Sequence, residues 1–215
     1  MTVSHSDEPT SPPTRPPDAE VGERPAVDVP PAHASAGHGS PLSGFAALVM
    51  AVLRLGIGWI FLWPFLDKTF GWEYSTPSEN AWIDGGSPTQ GFLSNVDVGP
   101  FADTFNDIAG ETWADWLFMI GLLGIGVAVM LGIGLRIAAV SGTVMMALMW
   151  AAEWPLDKTT SAGDPSGTTN PLIDDHIIYA LCLVLFAATY AGDHLGLGRI
   201  WARIPFVRRF HAVLR

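Results

Sequence analysis

The chain has 215 residues, 49% of them hydrophobic and only 15% charged, with nine Trp, 11 Phe and 23 Gly. A soluble domain carries about 25% charged residues, so this composition points to a membrane protein, provided the apolar residues are clustered. The net charge of −10 excludes a nucleic-acid binder, which needs a basic surface to replace phosphate counterions; the single cysteine, Cys182, excludes an intramolecular disulfide, a CxxC redox pair and a Cys-rich metal site.

Residues 1–43 hold nine of the 17 prolines, no aromatic residue, and Arg15 and Arg24 against six acids. Such a segment cannot bury enough apolar surface to offset its ordering entropy, which predicts a disordered tail. It has no basic stretch followed by an apolar core and does not read as a signal peptide. His33 and His38 read as linker histidines rather than metal ligands.

Four apolar segments follow. They predict an all-α membrane protein, a four-transmembrane-helix bundle over 44–192, with helices at about 45–66, 113–135, 137–154 and 174–192. Residues 45–66 contain one charge, Arg54, and residues 116–135 none; both reach the roughly 20 residues a spanning helix needs. Residues 137–152 and 177–191 are shorter. They span only if Glu153 and Asp174, Asp175 and His176 lie at headgroup level or inside the bundle. Buried helices of a soluble protein would need polar faces, which these segments lack.

The 67–112 loop is too long for a mere connector. Trp72, Trp82, Phe92, Phe101 and Phe105 predict that it folds onto the mouth of the bundle. Its "DGGSPTQGFL" stretch has turn chemistry, and Phe101, Phe105 and Ile108 predict a short amphipathic helix. Arg136 falls in a tight turn between the second and third helices. The 155–172 loop is polar and expected to be mobile. The 193–215 tail has five Arg against one acid, whereas the 67–112 loop has Lys68 alone against eight acids. By the positive-inside rule both termini are cytoplasmic and both long loops lie outside. The tail "RIWARIPFVRRFHAVLR" reads either as a topology signal or as an interfacial segment on membrane lipid.

A charge near the middle of a spanning helix is expensive, so Arg54 must face the bundle interior, pair, or reach the inner surface. At the outer ends Asp67, Lys68, Asp115, Glu153, Asp174, Asp175 and His176 are expected at one membrane level. Carboxylates crowded around a histidine at a low-dielectric mouth can relay protons, which makes Glu153, Asp175 and His176 the candidate catalytic residues. Asp174 reads as a helix cap. Without an HxxxH or ExxH pattern no metal site is expected. Trp150 and Trp154, with Trp59, Trp63, Trp113 and Trp116, are candidates to line a flat pocket for a quinone ring; interfacial anchoring is the other reading of tryptophan at this depth. Arg54, Trp63, Lys68, Trp150 and Tyr179 are the candidate quinone-binding residues. Gly121, Gly124, Gly126, Gly132 and Gly134 offer small-residue faces for close contact within the bundle or in a homo-oligomer.

"RLGIGWIFLWPFLDKTFG" (54–71), "GGSPTQGFL" (85–93), "LGIGLRIAA" (131–139) and "NPLIDDHIIYAL" (170–181) together resemble the DoxX/DoxD family of small four-helix membrane proteins. The nearest branch resembles the DoxD-type subunit of thiosulfate:quinone oxidoreductases. The resemblance covers roughly residues 45–195. It implies a bacterial or archaeal cell-membrane protein, oxidation of thiosulfate to tetrathionate, an exchangeable quinone, and a second oxidoreductase subunit or a soluble redox partner. Two alternatives stand beside it. One is a non-catalytic membrane scaffold that recruits redox proteins. The other is a small-solute transporter, against which the lack of an inverted repeat counts.

Overall fold

The computed structural model describes residues 44–214. The Pro-rich tail expected over 1–43 lies outside the described residues. The protein is all-helical, and among the described residues the only β pairing is one isolated bridge between Thr159 and Pro165. Among the described residues three helices are long and apolar enough to cross a membrane: α1 (Gly44–Phe70), α4 (Thr112–Leu131) and α5 (Leu135–Glu153). Two short helices lie in the loop between the first two, α2 (Gln90–Leu93) and α3 (Ala102–Asp107). The fourth apolar helix, α6 (Asp175–Ala188), is shorter, and a 3-10 turn at Ala191–Asp193 follows it. The basic tail forms α7 (Gly198–Trp201), α8 (Pro205–Arg209) and α9 (His211–Leu214).

Several boundaries differ from those expected, each for a local reason. α1 runs on through Asp67 and Lys68 to Phe70, because Asp67 binds the chain beyond the helix end rather than solvent. α4 stops at Leu131 because Gly132 takes φ +73°, and the Gly132 and Ile133 N–H groups both donate back to Ala128 O, a glycine-based C-terminal cap. Gly134, at φ +56°, then opens α5, which places Arg136 inside the helix rather than in the turn. α6 begins where Asp174 accepts from Ile177 N at 3.2 Å, as a helix N-cap does.

The helices alternate in direction. Arg54 meets Val129 and Met130, and Leu62 meets Gly126, so α1 is antiparallel to α4. Glu153 meets His176, Gly142 meets Leu183 and Arg136 meets Tyr190. α6 and the residues just after it therefore run nearly the full height of α5. α1 packs chiefly on α4 and α5 chiefly on α6; smaller α4–α5 and α1–α6 interfaces close the ring. Phe61, Met119, Ile125, Val129, Met146, Leu183 and Phe186 fill the centre.

Burial of apolar surface cannot hold helices together in lipid, so close packing of small residues must. Gly58 and Gly126 supply it at the α1–α4 crossing: an added Cβ would lie 2.5 Å from Met130 Cγ at the first and 2.8 Å from Leu62 N at the second. Gly124 faces open space instead. On the outside of α5, Val140, Val144 and Leu148 are 68%, 55% and 53% exposed. A continuous apolar face of this kind suits hydrocarbon, not water.

The bundle thus has two ends. The turn end carries residues 132–134, the chain after α6 and the basic tail. The loop end carries the 71–111 and 154–174 connections. The 155–172 segment, expected from its polarity to be mobile, instead makes defined contacts. It folds back through Ser166 N to Lys158 O, and Ser161 donates to Asp97 Oδ2 from its N–H at 3.1 Å and its hydroxyl at 3.0 Å.

Candidate functional site

Asp67, Lys68, Asp115, Glu153, Asp174, Asp175 and His176 all lie at the loop end; Lys68 lines a loop cleft, and the other six fall into two kinds. Asp67, 1% exposed, accepts from Ser75 Oγ at 2.7 Å, Ser75 N at 3.0 Å and Tyr74 N at 3.3 Å. Asp115, 6% exposed, accepts from Thr89 Oγ1 at 2.6 Å, Thr89 N at 2.9 Å and Ser87 Oγ at 2.9 Å. A carboxylate surrounded by donors fastens what donates to it. These two aspartates tie the long loop to α1 and α4. A third anchor is apolar: Val96 and Phe105 pack with Ala152, and Gly99 lies flat against Trp154.

The second kind gathers between α5 and α6. His176 is buried, and its Nδ1 lies 2.9 Å from Asp174 Oδ2, 3.6 Å from Asp175 Oδ1 and 4.0 Å from Glu153 Oε2. A carboxylate can only accept, so in this contact Nδ1 acts as the donor to Asp174. Glu153 and Asp175 are exposed, and each lies beside this imidazole edge. Glu153 ends α5, against the helix dipole. Trp154 follows it at φ +41°, a conformation that is strained for a bulky side chain. Asp174 is more than the cap expected, since one oxygen caps α6 and the other holds His176. Glu153, Asp174 and His176 each offer a donor atom within 4.8 Å of the others, with Asp174 rather than Asp175 the nearer carboxylate. Chemically, the arrangement brings together groups that can exchange protons: an imidazole and two accessible carboxylates at the rim of an apolar bundle.

One turn before Trp154, the Trp150 indole N–H is buried without an acceptor. A buried donor left unpaired costs about 1–3 kcal/mol, so it calls for an explanation. Tyr179 packs against the central cluster one turn along α6 from His176. The tryptophans do not form one pocket. Seven of the nine divide into three ring-contact groups: Trp59, Trp63 and Trp72 with Tyr74 beside α1; Trp82 with Trp116; and Trp150 with Trp154; among the described residues Trp113, also a pocket candidate, joins none of them. Among the described residues no ring contact joins Trp63 to Trp150.

Arg54 lies at the opposite end. It is fully buried, donating from Nη1 to Val129 O at 2.6 Å and to Met130 O, and from Nη2 to Leu195 O at 3.0 Å. Its height is that of the α4 C-terminus, not the middle of the bundle. The last carbonyls of a helix have no intrahelical partners and carry its negative dipole end, so Arg54 caps α4 and ties the chain after α6 to it. Gly132 and Gly196 leave it room. The five candidate quinone-binding residues are therefore not one constellation. Trp150 and Tyr179 flank the acid–histidine set, Trp63 belongs to the α1 aromatic group, Lys68 lines a loop cleft, and Arg54 sits at the other end.

The family model for DoxX matches residues 49–154. The chain belongs to the DoxX family. No curated protein and no solved structure matches it. In this DoxX protein the match runs from α1 to the end of α5, so Arg54, Asp67, Asp115, Trp150 and Glu153 lie inside it, while Asp174, Asp175 and His176 lie beyond. Sequence alone places Asp115 among the ionisable groups at the outer helix ends and gives Ser87 and Thr89 no role beyond turn chemistry. The signal that joins them is a run of small hydroxyl residues with one proline, 26 to 28 residues before a buried helix-start carboxylate.

Proposed function

We propose that this DoxX membrane protein is a subunit of a quinone-linked oxidoreductase, with the quinone head group held at the loop end between α5 and α6. The observation that carries this reading is the buried Trp150 N–H without an acceptor, one turn from Glu153 and the His176 cluster. A quinone carbonyl is the acceptor it lacks, and the neighbouring carboxylates and imidazole supply the protons that reduction consumes. For a thiosulfate donor the balance is two thiosulfates plus one quinone plus two protons giving one tetrathionate and one quinol. The 67–112 segment carries Lys68 against eight acids, which repels a dianion. That argues for thiosulfate capture by a second subunit and for quinone reduction by this chain.

The same reading takes α6 as a fourth crossing, since it matches the height of α5, and sets the arginine-rich tail and both termini on the cytoplasmic side of a bacterial or archaeal cell membrane. The test is turnover of the purified chain, alone and with its genomic-neighbour subunit, with thiosulfate as donor and a soluble quinone as acceptor. Turnover that falls in Trp150→Phe and Glu153→Gln supports the reading. Bound quinone without turnover in any combination leaves a scaffold that recruits redox partners. No bound quinone and no turnover overturns it.

A further inference from the structure

The second feature of the loop end is a cleft of about 550 Å³ roofed by the folded loop beside α1, and lined by Lys68, Ser75, Thr76, Asn80, Ser87 and Gln90 among others. Its size is that of a small-ligand site. Among the described residues no acidic side chain lines it, and Lys68 is its one cation. The hydrogen-bonding capacity of the lining can be followed atom by atom. The Ser75 hydroxyl donates to Asp67 at 2.7 Å and the Ser87 hydroxyl to Asp115 at 2.9 Å. Their protons are engaged behind the wall, so toward the cleft they offer lone pairs. Ser87 Oγ already accepts one bond, from Gln90 N at 3.2 Å. The Thr76 hydroxyl is likewise engaged with Asp67, so the side-chain donors that remain are the Lys68 ammonium and the Asn80 and Gln90 carboxamides. Among the described residues none of these three groups has a hydrogen-bond or ion-pair partner, although the Asp67 carboxylate next to Lys68 in the chain interacts with it electrostatically.

A ligand that satisfies this lining brings one negative charge for Lys68, further acceptor oxygens for the two carboxamides and a hydroxyl proton for the serine lone pairs. A second negative charge would find no counterpart, because the surrounding 67–112 segment is itself strongly acidic. We propose that the cleft is a binding site for a small hydroxylated monoanion, such as a hydroxy acid. Asp67 and Asp115 act as positioning residues, orienting the serine hydroxyls. The inference is independent of the quinone reading, since it involves no electron transfer and a different face of the loop end.

The test uses the full chain in nanodiscs of neutral phosphatidylcholine, titrated calorimetrically at constant ionic strength with glycerate, sulfate and glycerol. Saturable glycerate binding is expected, about tenfold or more tighter than sulfate or glycerol. Lys68→Met should weaken it by at least about tenfold, and Gln90→Leu, on the exposed rim, by less. Thermal unfolding of each variant separates lost binding from lost folding. Equal affinity in Lys68→Met, preference for sulfate, or no saturable glycerate binding overturns the proposal. A repeat in phosphatidylglycerol nanodiscs identifies the source of the anion. Unchanged glycerate affinity supports a free solute, whereas its loss there assigns the cleft to a lipid headgroup and overturns the free-solute claim.

Discussion

The turn end and the loop end of the bundle both bury charge, and they use it in opposite ways. At the turn end one guanidinium is engaged by three backbone carbonyls and enclosed by glycines, so Arg54 is a fastener. At the loop end Asp67 and Asp115 are fasteners of the same sort. Glu153 and Asp175, however, are exposed, and share the edge of one buried imidazole. The difference lies in what the charge is bonded to. A charge whose partners are main-chain groups and hydroxyls holds the fold, while one whose partners are other titratable groups can exchange protons.

The largest effect that would break this contrast is at Arg54. Arg54→Leu leaves the carbonyls of Val129, Met130 and Leu195 without their donor, and should cost roughly 3 kcal/mol or more in unfolding measured in nanodiscs. A variant as stable as the parent but depleted of bound quinone would make Arg54 a ligand residue instead. Next is Gly192→Ala, where an added Cβ would lie 1.9 Å from Gly132 O. Overpacking against backbone predicts a loss of about 1–3 kcal/mol, while Gly124→Ala, in open space, should be neutral or slightly stabilising. Asp115→Ala should cost about 1–3 kcal/mol and speed amide exchange across residues 85–90. Unchanged exchange there would show that the loop is held by its apolar anchors alone.

The smallest effect concerns Asp97. The Ser161 N–H, and then its hydroxyl, hold this carboxyl below its ordinary value. A lowered folded-state pKa means the tether is fully present above the ordinary aspartate value of about 3.9 and fades as pH falls through the lowered one. Proteolysis within 155–172 should therefore quicken below that range, and Asp97→Ala should show the quickened rate already at neutral pH.

Much of this architecture is written in local patterns. The apolar runs give the helices, and Gly132 and Gly134 give the turn. The basic and acidic flanks sort the chain ends, because hydropathy and charge are properties of short stretches. The acid–histidine set was legible for the same reason: Glu153 ends one apolar run and Asp175 and His176 begin the next. What sequence did not disclose depends on register between distant segments. The depth of Arg54 is fixed by where α4 ends, 75 residues later. The tryptophans divide according to which helix faces which, and the cleft exists only because Asp115 draws Ser87 and Thr89 onto the head of α4. The tie between Ser161 and Asp97, across 64 residues, likewise has no local signature.

The most direct measurement of the central claim is photo-crosslinking of the full chain with a photoreactive quinone, mapped by peptide mass spectrometry and competed with excess unlabelled quinone. The account predicts competed labels on residues 150–154 or 176–179, reduced in Trp150→Phe. Competed labels at the Arg54 end, on residues 129–135 or 190–195, would contradict it.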